Sequence, residues 1–196
     1  MQSLAVDPEH ARKRNRRTLW LILAVCAAPI VASYMAYNFW HPAAHVNYGT
    51  LIEPRPLPDA ELLTLDGKGF RLSALKGEWV LLTIAAADCN SACRERLVYM
   101  RQVRLAQGKE SERVERVWIV SDDRAPGARV LADQPGLHVL RDPRKAVLAA
   151  LPSEPGAEHI YVVDPLGNLM MRFPADPDPR RMLKDLSRLL RHSKWK

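Results

Sequence analysis

Hydrophobic positions fall into two regimes along the chain. Residues 19–40, LWLILAVCAAPIVASYMAYNFW, are twenty-two consecutive positions without a charge, and only Ser33 and Asn38 among them are clearly polar. At 1.5 Å rise per residue a helix of that length covers about 33 Å, enough for a hydrocarbon core of about 30 Å. Trp20 lies near one end and Tyr37, Phe39 and Trp40 at the other, where amphipathic aromatics meet the two interfaces. Pro29 is tolerated inside such a span. Beyond residue 60 the apolar positions come in short segments instead. WVLLTIAA (79–86) and VERVWIVSD (114–122) read as strands covered on both faces, because their apolar runs are nearly continuous rather than alternating.

The remaining segments complete a mixed pattern. ELLTL, DGKG and FRLSAL read as strand, turn and strand. Residues 94–107 have helical spacing, with Leu97, Met100 and Val103 facing inward and Gly108 as the stop. LHVLRD predicts a shorter strand, PRKAVLAAL a short helix and HIYVVDPLGNLMMRFP a hairpin around Pro165, Leu166 and Gly167. The last helix covers 179–192, with Met182, Leu183, Leu186, Leu189 and Leu190 on one face. A helix beginning at the end of a central strand, followed by further strands, a hairpin and a terminal helix, defines an α/β sandwich in thioredoxin-like order. Between span and domain, NYGTLIEPRPLPD is proline-rich without periodicity and reads as an extended tether. The expected organisation is a basic segment at 1–17, a transmembrane helix at 18–40, a linker at 41–59 and a thioredoxin-like domain at 60–196.

Charge sharpens this plan. The 196 residues carry 29 Lys and Arg against 22 Asp and Glu, a net charge of +7. Arg12, Lys13, Arg14, Arg16 and Arg17 precede the span against only Asp7 and Glu9, and elsewhere 24 basic residues face 20 acidic ones. The excess is thus a topological signal and not a nucleic-acid footprint, for which an aromatic-and-basic surface pattern is missing. By the positive-inside rule the N-terminus is cytoplasmic and the domain lies on the extracytoplasmic side of a bacterial-type inner membrane. The apolar run exceeds that of a cleaved signal, and no clear A-x-A site follows, which favours an uncleaved single-pass anchor. No Walker loop, G-x-G-x-x-G, G-x-S-x-G or metalloprotease helix is present in the sequence.

Chemistry concentrates in the cysteines. Cys26 lies within the span and reads as a small apolar residue. Cys89 and Cys93 follow the central strand four residues apart, a spacing that puts both on one face of the first helical turn. The helix N-terminus favours a thiolate there, and Arg94 and Arg96 add positive charge. Three readings stay open: a structural disulfide, a dithiol that cycles with a disulfide, and a soft-metal site of two thiolates completed by a histidine, for which Cu(I) is the suitable ion. His41 and His45 read as interfacial linker residues, and His138 as structural.

ELLTLDGKGFRLSALKGEWVLLTIAAADCNSAC, with VERVWIVSDD and HIYVVDPLGN, resembles the Sco/SenC family, membrane-anchored thioredoxin-fold proteins that help assemble the copper centre of cytochrome c oxidase. The C-x-x-x-C spacing is the specific element of the likeness. It implies Cu(I) held by Cys89 and Cys93 and passed to an oxidase subunit, with that subunit or its assembly factors as partners. The alternative is a thiol–disulfide oxidoreductase with Cys89 attacking and Cys93 resolving, which keeps oxidase or assembly-factor cysteines reduced. The chain departs from the family's C-P-x-x-C-P, having Asn90 and Arg94 where the prolines stand. The family's copper histidine falls eight residues before the aspartate of D-P-x-G, which here is Gly156. His159 is the nearest substitute as third ligand, with Glu158 beside it. Three positions is an odd shift, which along a strand turns a side chain to the opposite face.

Overall fold

A computed structural model describes residues 8–39, 47–152 and 158–193. Two compact units are present, Met1–His45 and Val46–Lys196. In the first, α1 (Pro8–Phe39) is one continuous helix with Pro29 inside it. Its Arg16–Asn38 portion spans 23 residues, with a mean hydropathy of 2.1 over the most apolar 18-residue window, and is long and apolar enough to cross a membrane. At the end of that portion the Asn38 amide donates to the Tyr34 carbonyl at 3.0 Å, which satisfies a polar side chain within the helix itself.

The second unit is built on one eight-stranded sheet. In chain order its elements are β1 (Thr50–Pro56), β2 (Glu61–Thr64), β3 (Gly69–Arg71), β4 (Trp79–Ala85), α2 (Ser91–Leu105), β5 (Val114–Val120), α3 (Ala128–Ala132), β6 (Leu137–Arg141), α4 (Ala146–Ala150), β7 (Ile160–Val163), β8 (Asn168–Phe173) and α5 (Pro179–His192). The strand order is β1-β8-β7-β4-β5-β6-β2-β3. β4, β5 and β6 run parallel, with Leu82 opposite Val117 and Ile119 opposite Leu140. β7 returns antiparallel against β4, with Thr83 opposite Ile160. The C-terminal end of β4 and the start of β7 therefore meet at the same end of the sheet.

The continuous apolar run of β4 is explained by cover on both faces. On one face Trp79, Leu81, Trp118, Ile160 and Val162 pack with Leu97, Met100 and Val103 of α2 and with Met182, Leu186 and Leu190 of α5. On the other, Val80, Leu82, Val117, Ile119, Tyr161 and Val163 pack with Val147 of α4 and with Leu62 and Leu151. Each such aliphatic side chain contributes roughly 1.5–3 kcal/mol on full burial.

The structure corrects three expectations. FRLSAL is only briefly a strand, because residues Leu72–Leu75 close into a 3₁₀ turn. The helix after the cysteine pair begins at Ser91, ahead of the expected 94. The third correction concerns the linker at 41–59, part of which belongs to the domain: β1 pairs antiparallel with β8, Thr50 opposite Arg172 and Pro56 opposite Asn168, with a register shift between Leu51 and Arg55. Two prolines in seven residues are compatible with an edge strand, where missing N–H groups can face outward. Just before β1, Asp185 of α5 is 3% exposed and accepts the backbone N–H groups of Tyr48 at 2.6 Å and Gly49 at 2.9 Å. The Arg181 guanidinium lies 4.1 Å from the Tyr48 ring centroid.

Candidate functional site

Cys89 and Cys93 are joined as a disulfide, their Cα atoms 5.1 Å apart. They do not meet through a shared helical face. Asn90 is the N-cap of α2, its side-chain oxygen accepting the Cys93 N–H at 2.9 Å. Cys93 is thus the third residue of the helix, and Cys89 lies outside it. Cys89 reaches back through a left-handed backbone, φ +35°, a conformation uncommon for a residue with a side chain. An Asn immediately before a helical pattern is an N-terminal signal, and it is the feature of C-N-S-A-C that locates the helix start.

Both cysteines are buried, Cys89 at 1% and Cys93 at 2% exposure, within the face that holds Ala85, Ala87, Leu97 and Trp118. The loop leading to Cys89 is tied down from β5. The Ala87 N–H donates to Asp122 at 3.1 Å, and Arg124 pairs with Asp122 at 2.6 Å and with Asp88 at 3.8 Å. The hydrogen bond from Arg124, helped by the Ala87 amide, holds the Asp122 carboxyl below its usual range.

His159 is placed differently from the cysteines. Ile160 and Val162 point to the cysteine face of the sheet, whereas Tyr161 and Val163 point to the other. The His159 ring stands 6.1 Å from the Tyr161 ring, edge-on, and its Nδ1 is 2.9 Å from the Phe173 carbonyl. It thus shares the face of Tyr161, as the odd shift requires. Among the described residues no group of three His, Cys, Asp or Glu side chains is assembled to hold a metal. His159 stands on the sheet face opposite the disulfide. His41, His45 and Gly156 lie outside the described residues. His138 has a structural setting, its Nε2 3.2 Å from Glu115 and its ring against Phe70.

Glu158 turns the opposite way and forms an ion pair with Arg96 of α2. Arg96 is 4% exposed, and burial lowers its pKa. Its Nη1 lies 3.5 Å from the Ala175 carbonyl, so the side chain links α2 to the segment entering β7 and to the one after β8. Sequence alone gives no sign of this pair, since 62 residues separate its members.

A thioredoxin-like sheet carrying a cysteine pair at the β4–α2 junction defines the class of the protein. The family model for the transmembrane-like, thioredoxin-like C-terminal domain matches residues 79–193, and the chain belongs to that family. Among solved structures, apo Sco1 from Thermus thermophilus is 25% identical with a TM-score of 0.59, and the match covers 75% of this chain and 99% of that one. Copper-bound ScoI from Bradyrhizobium japonicum is 23% identical with a TM-score of 0.55, covering 68% and 99% of the two chains. The thioredoxin domain of a thiol–disulfide oxidoreductase from Bacteroides vulgatus is 20% identical with a TM-score of 0.55, covering 72% and 99%. The comparison with curated proteins gives no match. The Sco resemblance and the thioredoxin-like fold read from the sequence are thus borne out.

Proposed function

We propose that this protein is a membrane-anchored thiol–disulfide exchange protein that acts on the cysteines of extracytoplasmic partners, in the setting of cytochrome c oxidase assembly. The observation that carries the reading is the pairing of Cys89 with Cys93 at the capped N-terminus of α2, with His159 on the other face of the sheet. In the reduced chain the Cys89 thiolate attacks a partner disulfide, and one partner sulfur leaves as thiolate. Cys93 then attacks the Cys89 sulfur, releasing the second partner thiolate and forming the intramolecular disulfide. Two electrons pass to the partner, and two protons complete its thiols. The anchor places this chemistry at the membrane surface, with the domain on the extracytoplasmic side.

Cu(I) binding is the second reading, supported by the likeness to Sco1 at 25% identity. The reduced pair supplies two soft donors, and the described residues add no third His, Cys, Asp or Glu donor to them. Copper is then a cargo on two thiolates. The test uses full-length protein in detergent with Cys26→Ser, so that only the domain thiols report. A Cys93→Ser form should accumulate a mixed disulfide through Cys89 with a disulfide-bearing peptide, whereas a Cys89→Ser form should not. A reduced Cys26→Ser chain that gives no exchange but takes up one Cu(I) equivalent from a chromophoric chelator would replace the first reading with the second.

A further inference from the structure

We propose that Glu158 sets the redox poise of the Cys89–Cys93 pair by masking the buried charge of Arg96, an inference that rests on the thiol-exchange reading. Arg96 stands three residues after Cys93 on α2, a spacing that brings side chains on one helix to about 5–6 Å at Cβ. The guanidinium is buried on the same side of the sheet as the disulfide, with 5% of its side chain exposed. A buried cation needs compensation. It receives little from neutral groups: the Ala175 carbonyl is at 3.5 Å, and Nε has no hydrogen-bond partner among the described residues. Glu158 supplies the counter-charge. The other charged groups around the pair lie nearer solvent, Asp88 and Arg124 being about two-thirds exposed and bonded to each other, with Asp122 on Arg124 and Arg94 exposed on the helix. Arg96 is therefore the buried charge beside the thiols, and Glu158 decides how much of it they see.

The consequence has a definite sign. The disulfide accepts two electrons and two protons from an external dithiol or from two glutathione molecules, which are themselves oxidised to a disulfide. Reduction creates thiols that ionise most easily next to a cation, and a stabilised thiolate makes the disulfide more oxidising. Glu158→Gln, which unmasks Arg96, should shift the equilibrium with glutathione toward the reduced protein roughly tenfold, or about 30 mV. Arg96→Met, which leaves Glu158 without its cation, should shift it the other way by about threefold, less because Glu158 is 38% exposed and screened. The double variant should fall within about twofold of the parent.

The test equilibrates full-length Cys26→Ser protein and the three variants in detergent against graded glutathione buffers, then counts thiols by alkylation and mass. Opposite shifts in the two single variants, cancelling in the double, are expected. Single variants that lose stability yet coincide with the parent in redox equilibrium, or shift in the same direction, would overturn the proposal and leave a packing role. Should Glu158→Gln not fold, the sign of the Arg96→Met shift and the return in the double variant decide the matter alone. A parent that shows no reversible two-electron transition would instead refute the thiol-exchange reading, so the two failures are distinct.

Discussion

Replacing Asp185 by alanine probes the part of the domain that most resembled a linker. Its carboxylate is 3% exposed and accepts two backbone N–H groups, from Tyr48 and Gly49. Hydrogen bonds to a charged group are worth roughly 1.5–3 kcal/mol each. The loss is bounded, because the freed segment can leave its site and hydrate its amides, so about 3 kcal/mol is expected for the pair rather than the upper sum. For a unit of about 150 residues this lowers Tm by about 6–12 °C. Hydrogen exchange on the full-length chain in detergent should show protection lost at Tyr48, Gly49 and the β1–β8 ladder while β4 and β5 keep theirs. A variant with unchanged Tm and unchanged protection at residues 48 and 49 would refute the argument that Asp185 docks this segment.

Further expectations concern neighbouring elements. Gly49→Ala should also undock the segment, since its Cβ would lie 2.5 Å from the Met171 sulfur and 3.1 Å from Phe173; thermal melting that matches the parent would contradict this. Asn90→Ala removes the N-cap of α2 and should cost about 1 kcal/mol, read by denaturant unfolding of the oxidised protein, with no change in midpoint as the contrary result. Asp122, whose carboxyl the Arg124 hydrogen bond holds below the usual aspartate range, binds the Ala87 amide as a carboxylate. Its contribution is complete above the unfolded carboxyl pKa and fades as pH falls through the depressed folded one, so the Ala87 amide signal should begin to move only below about pH 4. A midpoint at or above that pH would contradict the Arg124 effect. Alkaline phosphatase fused after Lys196 should be active, and an active cytoplasmic reporter at the same site would reverse the topology.

How far the sequence could be read depended on whether a residue's structure is set locally. The β4 run, the Pro165-Leu166-Gly167 hairpin and α5 at Pro179–His192 agree with their apolar periodicity, because burial on two faces or one leaves that imprint directly. β1 does not, since an edge strand with Pro54 and Pro56 and largely exposed side chains carries no alternation, and its pairing is decided by β8 over 100 residues away. At the site the pairing of the cysteines was legible from their spacing, but the left-handed Cys89 was not. Its conformation follows from Asn90 taking the cap position, which pushes Cys89 outside the helix. The parity of His159 was legible and decided its face. The Arg96–Glu158 pair was not, because a contact between α2 and the entry to β7 exists only once the sheet is assembled.

The claim that Cys89 and Cys93 form a working redox couple is tested most directly by redox titration of the full-length Cys26→Ser chain, with free thiols counted at each potential. Both thiols should appear together in one reversible two-electron transition at a potential above about −300 mV, where labile rather than structural disulfides lie. Two free thiols in the fully oxidised chain, or a disulfide that stays closed well below that potential, would contradict it.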